Sequence, residues 1–496
     1  MLFDTYQLVH SLSKAEKRYF QCAASLHTIG EKNTYLKLFD ALNRQKQFNE
    51  AEIQQEFRGQ NFYLLKRHLY KSILKSIRAF HEASSTAIQV YSMISEVEIL
   101  YKKGLTKAAL KLVHHAKKIA SRYELHLALA QLLELEIKLL AASQQLVHAQ
   151  AKIGKAFDAA GKEIELYRNF QSCFQFRMNV GAVHNKEIFF HRPDERKKYL
   201  EQIKTLSEKA LSEKAQWELY NGAGTYFSAS GNQLKGHAYH KKAAAISEKK
   251  SFLIREELRQ YLITIYSQSI SYFYLKKYAE ALESLTIFRT VFSSISDPAN
   301  RKNVQELYLH SLLLEGFIRM DMHTYDTALP VIYRLRKEID GSGNINVSLR
   351  NDIYYQQTGF WFCVGNFKEA QFWLTKMLQD DDAPKENPAR YRFARLMQLI
   401  VLFELNEFGL IENLLPATKK FMKRKGQHFK IEEAMLEFIS KYLRSKKMHA
   451  RNFAELKKKL TRLSKEKHEA ASLRIFDYLA WAKAKMENKI MSEAAQ

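Results

Sequence analysis

The sequence predicts an all-α protein assembled from repeated pairs of helices. Only 6 prolines and 17 glycines punctuate its 496 residues, so long stretches lack the residues that break helices or make hairpin turns. Hydrophobic residues make up 46% of the chain and aromatics 12%, which supplies ample core material and excludes global disorder. Small residues also recur along the second half at a nearly constant interval, flanked by aromatics at helical spacing.

Taken in order, the first helix signal is Ser13-Lys14-Ala15-Glu16, a capping box. The serine hydroxyl can accept from the third backbone N–H while the glutamate reaches back to the cap, so a helix should begin near residue 14. Helices follow in TYLKLFDALN and NFYLLKRHLYKSILKSIRAF, and ASSTA at 83–87 reads as a joint. Residues 1–83 therefore form an N-terminal helical cap or small domain. Next, YKKGLTKAALKLVHHAKKIA places Gly104 at a turn and Ala109, Val113 and Ala116 on one helical stripe.

The clearest unit is YNGAGTYFSASGNQLKGHAYHKKAAA, residues 220–245. Tyr220, Gly224 and Phe227 share a face of one helix, Gly231-Asn232 ends it, and Gly236, His240 and Ala243 form a stripe on the next. Gly224 and Gly236 are small for one reason: the two antiparallel helices cross closely there, and larger side chains would push them apart. The same position is filled by Ala281, Ala328, Ala370 and Ile411, at intervals of 45, 47, 42 and 41 residues. Between Ala109 and Gly236 there is room for two further units, for which QQLVHAQAKIGKAF, with Ala149 and Ala156, is the candidate.

This pattern of small residues in both helices with aromatics between them resembles the tetratricopeptide repeat, although its spacing is longer than that family's roughly 34 residues. The resemblance covers about two-thirds of the chain and implies a right-handed α-solenoid across residues 87–430. The stretches at 340–348 and 379–390 read as solvated loops, and 431–496 as basic C-terminal capping helices.

The net charge of +25 suits a nucleic acid, an acidic protein or an anionic membrane surface without choosing among them. Cys22, Cys173 and Cys363 are far apart and read as buried free thiols rather than a zinc ribbon or disulfide framework. The adjacent His114 and His115 point apart. His237 and His240 are better spaced, but no HExxH motif joins them, so no metal ligand is assigned. Phosphate-loop and nucleophile-elbow signatures are absent, and neither a cofactor nor an enzymatic activity is expected. The N-terminus lacks the pattern of a secretory signal, and no apolar run approaches the ~18 residues of a membrane span, so the expected location is cytoplasmic with no transmembrane segment.

Two kinds of surface are candidates for binding. In the tetratricopeptide family the first helix of each unit lines a concave groove that takes a peptide. The resemblance places Ser228, Phe273, Met320, Phe362 and Phe403 in one groove column and Asn221, Tyr266, Leu313, Tyr355 and Leu396 in a second. From these, Asn221, Tyr266, Phe273, Tyr355, Phe362 and Phe403 are the candidate groove residues, with packing between neighbouring units as the competing explanation. The second kind is basic. Arg67, Lys71, Lys75 and Arg78 recur on one helical face, and Lys419 to Lys467 hold 17 Lys or Arg against 5 Glu, including Lys457, Lys458 and Lys459. The sequence thus predicts a non-enzymatic scaffold for a protein or peptide, with weak nucleic-acid binding. A nucleic-acid-binding helical repeat is the alternative, and ordinary solvated faces are the plain explanation of the charge.

Overall fold

The computed structural model describes residues 2–26, 34–59, 61–82, 85–142, 146–183, 193–209, 212–249, 254, 256–341, 345–380, 388–424, 429–445, 450–466, 469 and 476–494. Among them every element of regular structure is an α-helix. The chain divides into two compact units, Met1–Val304 and Gln305–Gln496, a division that falls inside the span expected to form one array.

The first unit opens with five helices, α1 (Leu2–Ser11), α2 (Lys14–Leu26), α3 (Thr34–Arg44), α4 (Glu50–Glu56) and α5 (Phe62–His81), around a core that includes Val9, Phe20, Phe39, Leu42, Leu69 and Ile73. The capping box forms as read: Ser13 N–H donates to Glu16 at 2.7 Å and Glu16 N–H to the Ser13 hydroxyl at 3.2 Å. His81 at the end of α5 also meets Glu16, at 2.6 Å, which ties α5 to the start of α2.

Helices α6 (Thr86–Lys102), α7 (Thr106–Arg122) and α8 (His126–Ala142) follow, with Ala109, Val113 and Ala116 fully buried as their stripe predicts. The expected repeat around Ala149 and Ala156 does not form. Both alanines are buried, but no turn separates helices there, and α9 runs unbroken from Leu146 to Val183. Nothing in QQLVHAQAKIGKAF stops a helix: Gly154 lies mid-helix, where it costs only about 1 kcal/mol relative to Ala. Helices α10 (Pro193–Lys209), α11 (Glu213–Ala229), α12 (Gln233–Lys249), α13 (Leu258–Tyr274), α14 (Tyr278–Ser293) and the short α15 (Pro298–Asn303) complete the unit.

The second unit contains α16 (Gln305–Asp321), α17 (Tyr325–Gly341), α18 (Val347–Cys363), α19 (Phe367–Leu378), α20 (Pro388–Glu404), α21 (Phe408–Arg424), α22 (Lys430–Ser445), α23 (Ala450–Leu463), α24 (Tyr478–Met486) and α25 (Met491–Ala494). In each unit the helices pack chiefly on those before and after them in the chain, the order expected of a helical repeat. The loops are shorter than the sequence suggests: α17 extends to Gly341 and α20 begins at Pro388, while 342–344 and 381–387 lie outside the described residues.

One turn recurs and sets the register. Gly104, Gly231, Lys276, His323, Gly365 and Asn406 all have positive φ, between 57° and 84°, and each stands two residues before a helix. The following residue donates back five positions: Asn232 to Phe227, Lys277 to Tyr272, Thr324 to Arg319 and Glu407 to Leu402, all at 2.8 to 2.9 Å. This is the Schellman closure, which satisfies helix-end carbonyls by passing one residue through the left-handed region. The fourth residue of the next helix is then the small or apolar one named from sequence, Ala109, Gly236, Ala281, Ala328, Ala370 or Ile411, and all six are buried. The same closure appears at Glu124 and Asn488.

At Gly224 the close helix approach expected from the sequence is present. A Cβ on Gly224 would lie 2.2 Å from the His240 ring, and one on Gly236 would lie 2.2 Å from Ser228 Oγ.

Remote carboxylates close other helix ends. Glu124 accepts from the backbone N–H groups of Glu213 and Lys214 at 3.2 and 2.8 Å, capping α11 from about ninety positions upstream. Glu256 accepts from Thr86 N–H and the Thr86 hydroxyl at the start of α6, and Glu469 from Lys430 and Ile431 N–H at the start of α22.

Candidate binding surfaces

The candidate groove residues divide between packing and partial exposure. Asn221, Phe362 and Phe403 are buried, so these three are core residues, a correction to their placement in a groove. Asn221 donates to Trp217 O at 3.0 Å within α11. Phe362 packs edge-on to Phe367 and Phe476. Phe403 is the hub of an aromatic cluster, its ring centroid 5.0 Å from Tyr442, 6.0 Å from Trp481 and 6.4 Å from Phe453, so helices α20, α22, α23 and α24 converge on it. Leu313 and Leu396 of the second column are buried too.

Tyr266, Phe273 and Tyr355 are half-buried. Burial raises the phenols of Tyr266 and Tyr355 well above the ordinary tyrosine range. Tyr355 stacks edge-on to Phe393 at 5.1 Å under the Arg390 guanidinium.

The ridge on α5 is exposed along its length. Arg67, Lys71, Lys75 and Arg78 face solvent opposite the buried Leu69 and Ile73, and none has an ion-pair partner among the described residues. Tyr63, Leu64 and Leu74 are exposed on the same face, so the cations are interleaved with apolar surface.

Lys457, Lys458 and Lys459 do not act as a set, because consecutive helical residues diverge by about 100°. Lys459 turns to Glu437 at 2.6 Å, Lys458 is exposed and Lys457 half-buried. The structure instead gathers Lys419, Lys441 and Arg444, with Glu437 and Ser440, around an open hollow of about 440 Å³ formed by α21 and α22. A second hollow of about 190 Å³ adjoins it, floored by Phe438, Tyr442 and Leu456 and rimmed by Lys441, Lys459, Glu437 and Glu455. Lys419 donates to Ser440 Oγ at 2.6 Å, while Lys441 stands 3.5 Å from Glu455. Sequence reasoning located the basic region but not these residues, because they come from separate helices. The one available signal was the two basic runs KKFMKRK and KYLRSKK one helix apart.

Burial raises the Cys173 and Cys363 thiols to about 11, which leaves them protonated and inert at neutral pH. Cys22 is exposed, contrary to its expected burial, because it stands on the solvent side of α2. His240 is buried and held down to about 4 by that burial. No group of three or more His, Cys, Asp or Glu among the described residues could hold a metal ion, and no described helix is long and apolar enough to cross a membrane.

No protein-family model matches the chain, and no curated protein matches it.

Proposed function

We propose that the protein is a non-enzymatic cytoplasmic scaffold, a tetratricopeptide-like right-handed solenoid of antiparallel helix pairs, that holds a protein partner through an acidic segment. The observation that carries this reading is the pair of adjoining hollows on α21 to α23. Lys419, Lys441, Arg444 and Lys459 outnumber Glu437 and Glu455 there, over an aromatic floor. Carboxylates on an extended or helical peptide would meet charge-assisted donors, and one apolar side chain of the peptide would enter the smaller hollow. Of the six candidate groove residues, the half-buried Tyr266, Phe273 and Tyr355 are those a peptide could touch.

The α5 ridge favours a second reading. Its cations, unpaired among the described residues and interleaved with exposed Tyr63, are suited to RNA, with phosphates on the cations and a base stacked on the ring.

Fluorescence anisotropy with the full chain separates the two. The probes are a labelled Glu/Asp-rich peptide with a leucine every fourth residue, and a labelled oligouridine. Peptide binding that is lost in Lys441→Glu/Arg444→Glu and kept in Arg67→Glu/Lys71→Glu supports the scaffold. Tighter binding of oligouridine, lost in the α5 variant and falling about a hundredfold between 50 and 200 mM salt, would replace it with the second reading.

A further inference from the structure

The outermost face of helix α7 is wholly basic. Successive helical residues stand about 100° apart, so Lys107, Lys111, His114, Lys118 and Arg122 fall within an arc of about 80°, and no other residue of the helix shares that arc. Ala109, Val113, Ala116 and Ala120, all fully buried, occupy the opposite side. The five basic residues are exposed. At about 1.5 Å of rise per residue, the row from Lys107 to Arg122 is about 22 Å long.

This row is not neutralised by its surroundings. Helix α7 contains no Asp or Glu, and like charges three or four apart on a helix repel one another, so the row forms against its own electrostatics. An ordinary solvated face mixes the two signs and avoids that repulsion. None of Lys107, Lys111, Lys118 and Arg122 has an ion-pair partner among the described residues, although Arg122 also lies over the Tyr123 ring at 5.9 Å. On the flanking α8, Glu134 is taken by Lys138 and Glu136 by Lys117, which stands beside the row. His114 is 3.6 Å from the same Glu136.

What the row lacks selects its ligand. Helix α7 has no Phe, Tyr or Trp, and its Leu, Val and Ile side chains are buried or half-buried. A membrane surface would require apolar side chains that sink beneath the headgroups. A protein partner would require an aromatic or apolar anchor to desolvate, and a single nucleic-acid strand would require rings on which its bases stack. A duplex requires neither, because its bases are already stacked and it presents a stiff line of phosphates. Double-stranded RNA is held across two successive minor grooves over about 16 base pairs, a span the row is too short to cover.

We propose that α7 is a sequence-independent site for the phosphate backbone of double-stranded DNA, with Lys107, Lys111, Lys118 and Arg122 as the phosphate contacts. Such contacts fix position on the duplex and read no base.

The test is fluorescence anisotropy of the full chain with a labelled DNA duplex of about 20 base pairs. Four phosphate contacts give a slope of about −3.6 in log affinity against log salt, a loss of about a hundredfold between 50 and 200 mM. Lys111→Gln/Lys118→Gln should weaken binding at least tenfold at the lower salt and halve that slope, with unchanged circular dichroism because both side chains are exposed. Lys111→Arg/Lys118→Arg should bind as the wild type does. Lys197→Gln/Lys204→Gln removes the same charge from exposed positions on α10 and should change the affinity less than twofold. Equal losses in the two glutamine pairs would show that overall charge holds the duplex, and would overturn the proposal. So would no binding of the duplex at the lower salt, or tighter binding of an RNA duplex or a single strand of the same sequence. Binding of phosphatidylserine vesicles in place of the duplex, lost in Lys111→Gln/Lys118→Gln, would give the row to a membrane surface instead.

Discussion

Gly224 and His240 occupy one space: the Cβ that Gly224 lacks would stand 2.2 Å from the imidazole Cδ2. The ring cannot easily yield, because it is 3% exposed and enclosed where α11 crosses α12. Gly224→Ala should therefore destabilise the protein by about 1–3 kcal/mol in urea unfolding, despite the better helix propensity of alanine. His240→Ala vacates the clashing volume, so Gly224→Ala should cost less in that background than in the wild type. Equal costs in both would show that the two helices part freely.

The same histidine makes stability depend on pH. Burial is the main cause that lowers its pKa from 6.5 to about 4, with nearby His237 adding to the effect. The folded state thus binds the proton more weakly than the unfolded state. This contribution is fully present above pH 6.5 and is lost as pH falls from 6.5 toward 4, at up to about 1.4 kcal/mol per pH unit. His240→Leu keeps an apolar side chain in the slot and removes the titration. Its urea midpoint should fall less steeply than the wild type's across that window, and carboxylates common to both proteins cancel in the comparison.

Five of the recurring turns use a residue with a Cβ in the left-handed region. At Lys276, with φ 60°, and His323, with φ 57°, that conformation costs about 1–2 kcal/mol, which glycine avoids at some expense in chain entropy. Lys276→Gly and His323→Gly should each stabilise by about 0.5–1 kcal/mol in thermal unfolding. Asn406→Gly should gain less, since asparagine tolerates this region. Gly231→Ala should lose stability by about 1 kcal/mol.

Phe403 and Phe273 are matched in sequence position but not in environment. Phe403→Ala removes the hub of five ring contacts and should cost about 3–5 kcal/mol. Phe273→Ala, half-buried beside Tyr274 and Tyr278, should cost well under half as much. Similar losses at both would show that the two positions are equivalent after all.

The register of the repeats was readable because it rests on size. A close crossing admits only small side chains, so Gly236, Ala281, Ala328 and Ala370 announce themselves in any linear reading. Ser13 and Glu16 were equally legible, since a capping box is local. Phe403 was not, because its partners Phe438, Phe453 and Trp481 arrive from three later helices. Lys276 and His323 gave no sign of turns because a left-handed lysine or histidine is chosen against its own preference. The length of α9 went unread for a related reason: Gly154 and Gly161 look like punctuation in a sequence, and only tertiary packing decides that the helix passes through them. The hollow lined by Lys419, Lys441 and Arg444 is a meeting of α21 and α22, and no spacing along one helix encodes it.

A linear array in which each helix touched only its neighbours would be free to melt from its ends, one segment at a time. The Glu124 carboxylate alters that in the first unit. The first turn of α11 obtains its hydrogen-bond acceptor from the α7–α8 turn, and α6 obtains one from Glu256, just before α13. Loss of either segment strips a cap from the other, so residues 86–258 are expected to open as one block. In native-state hydrogen exchange the amides of α6, α8 and α11 should share a single opening free energy, and Glu124→Ala should divide them into separate populations.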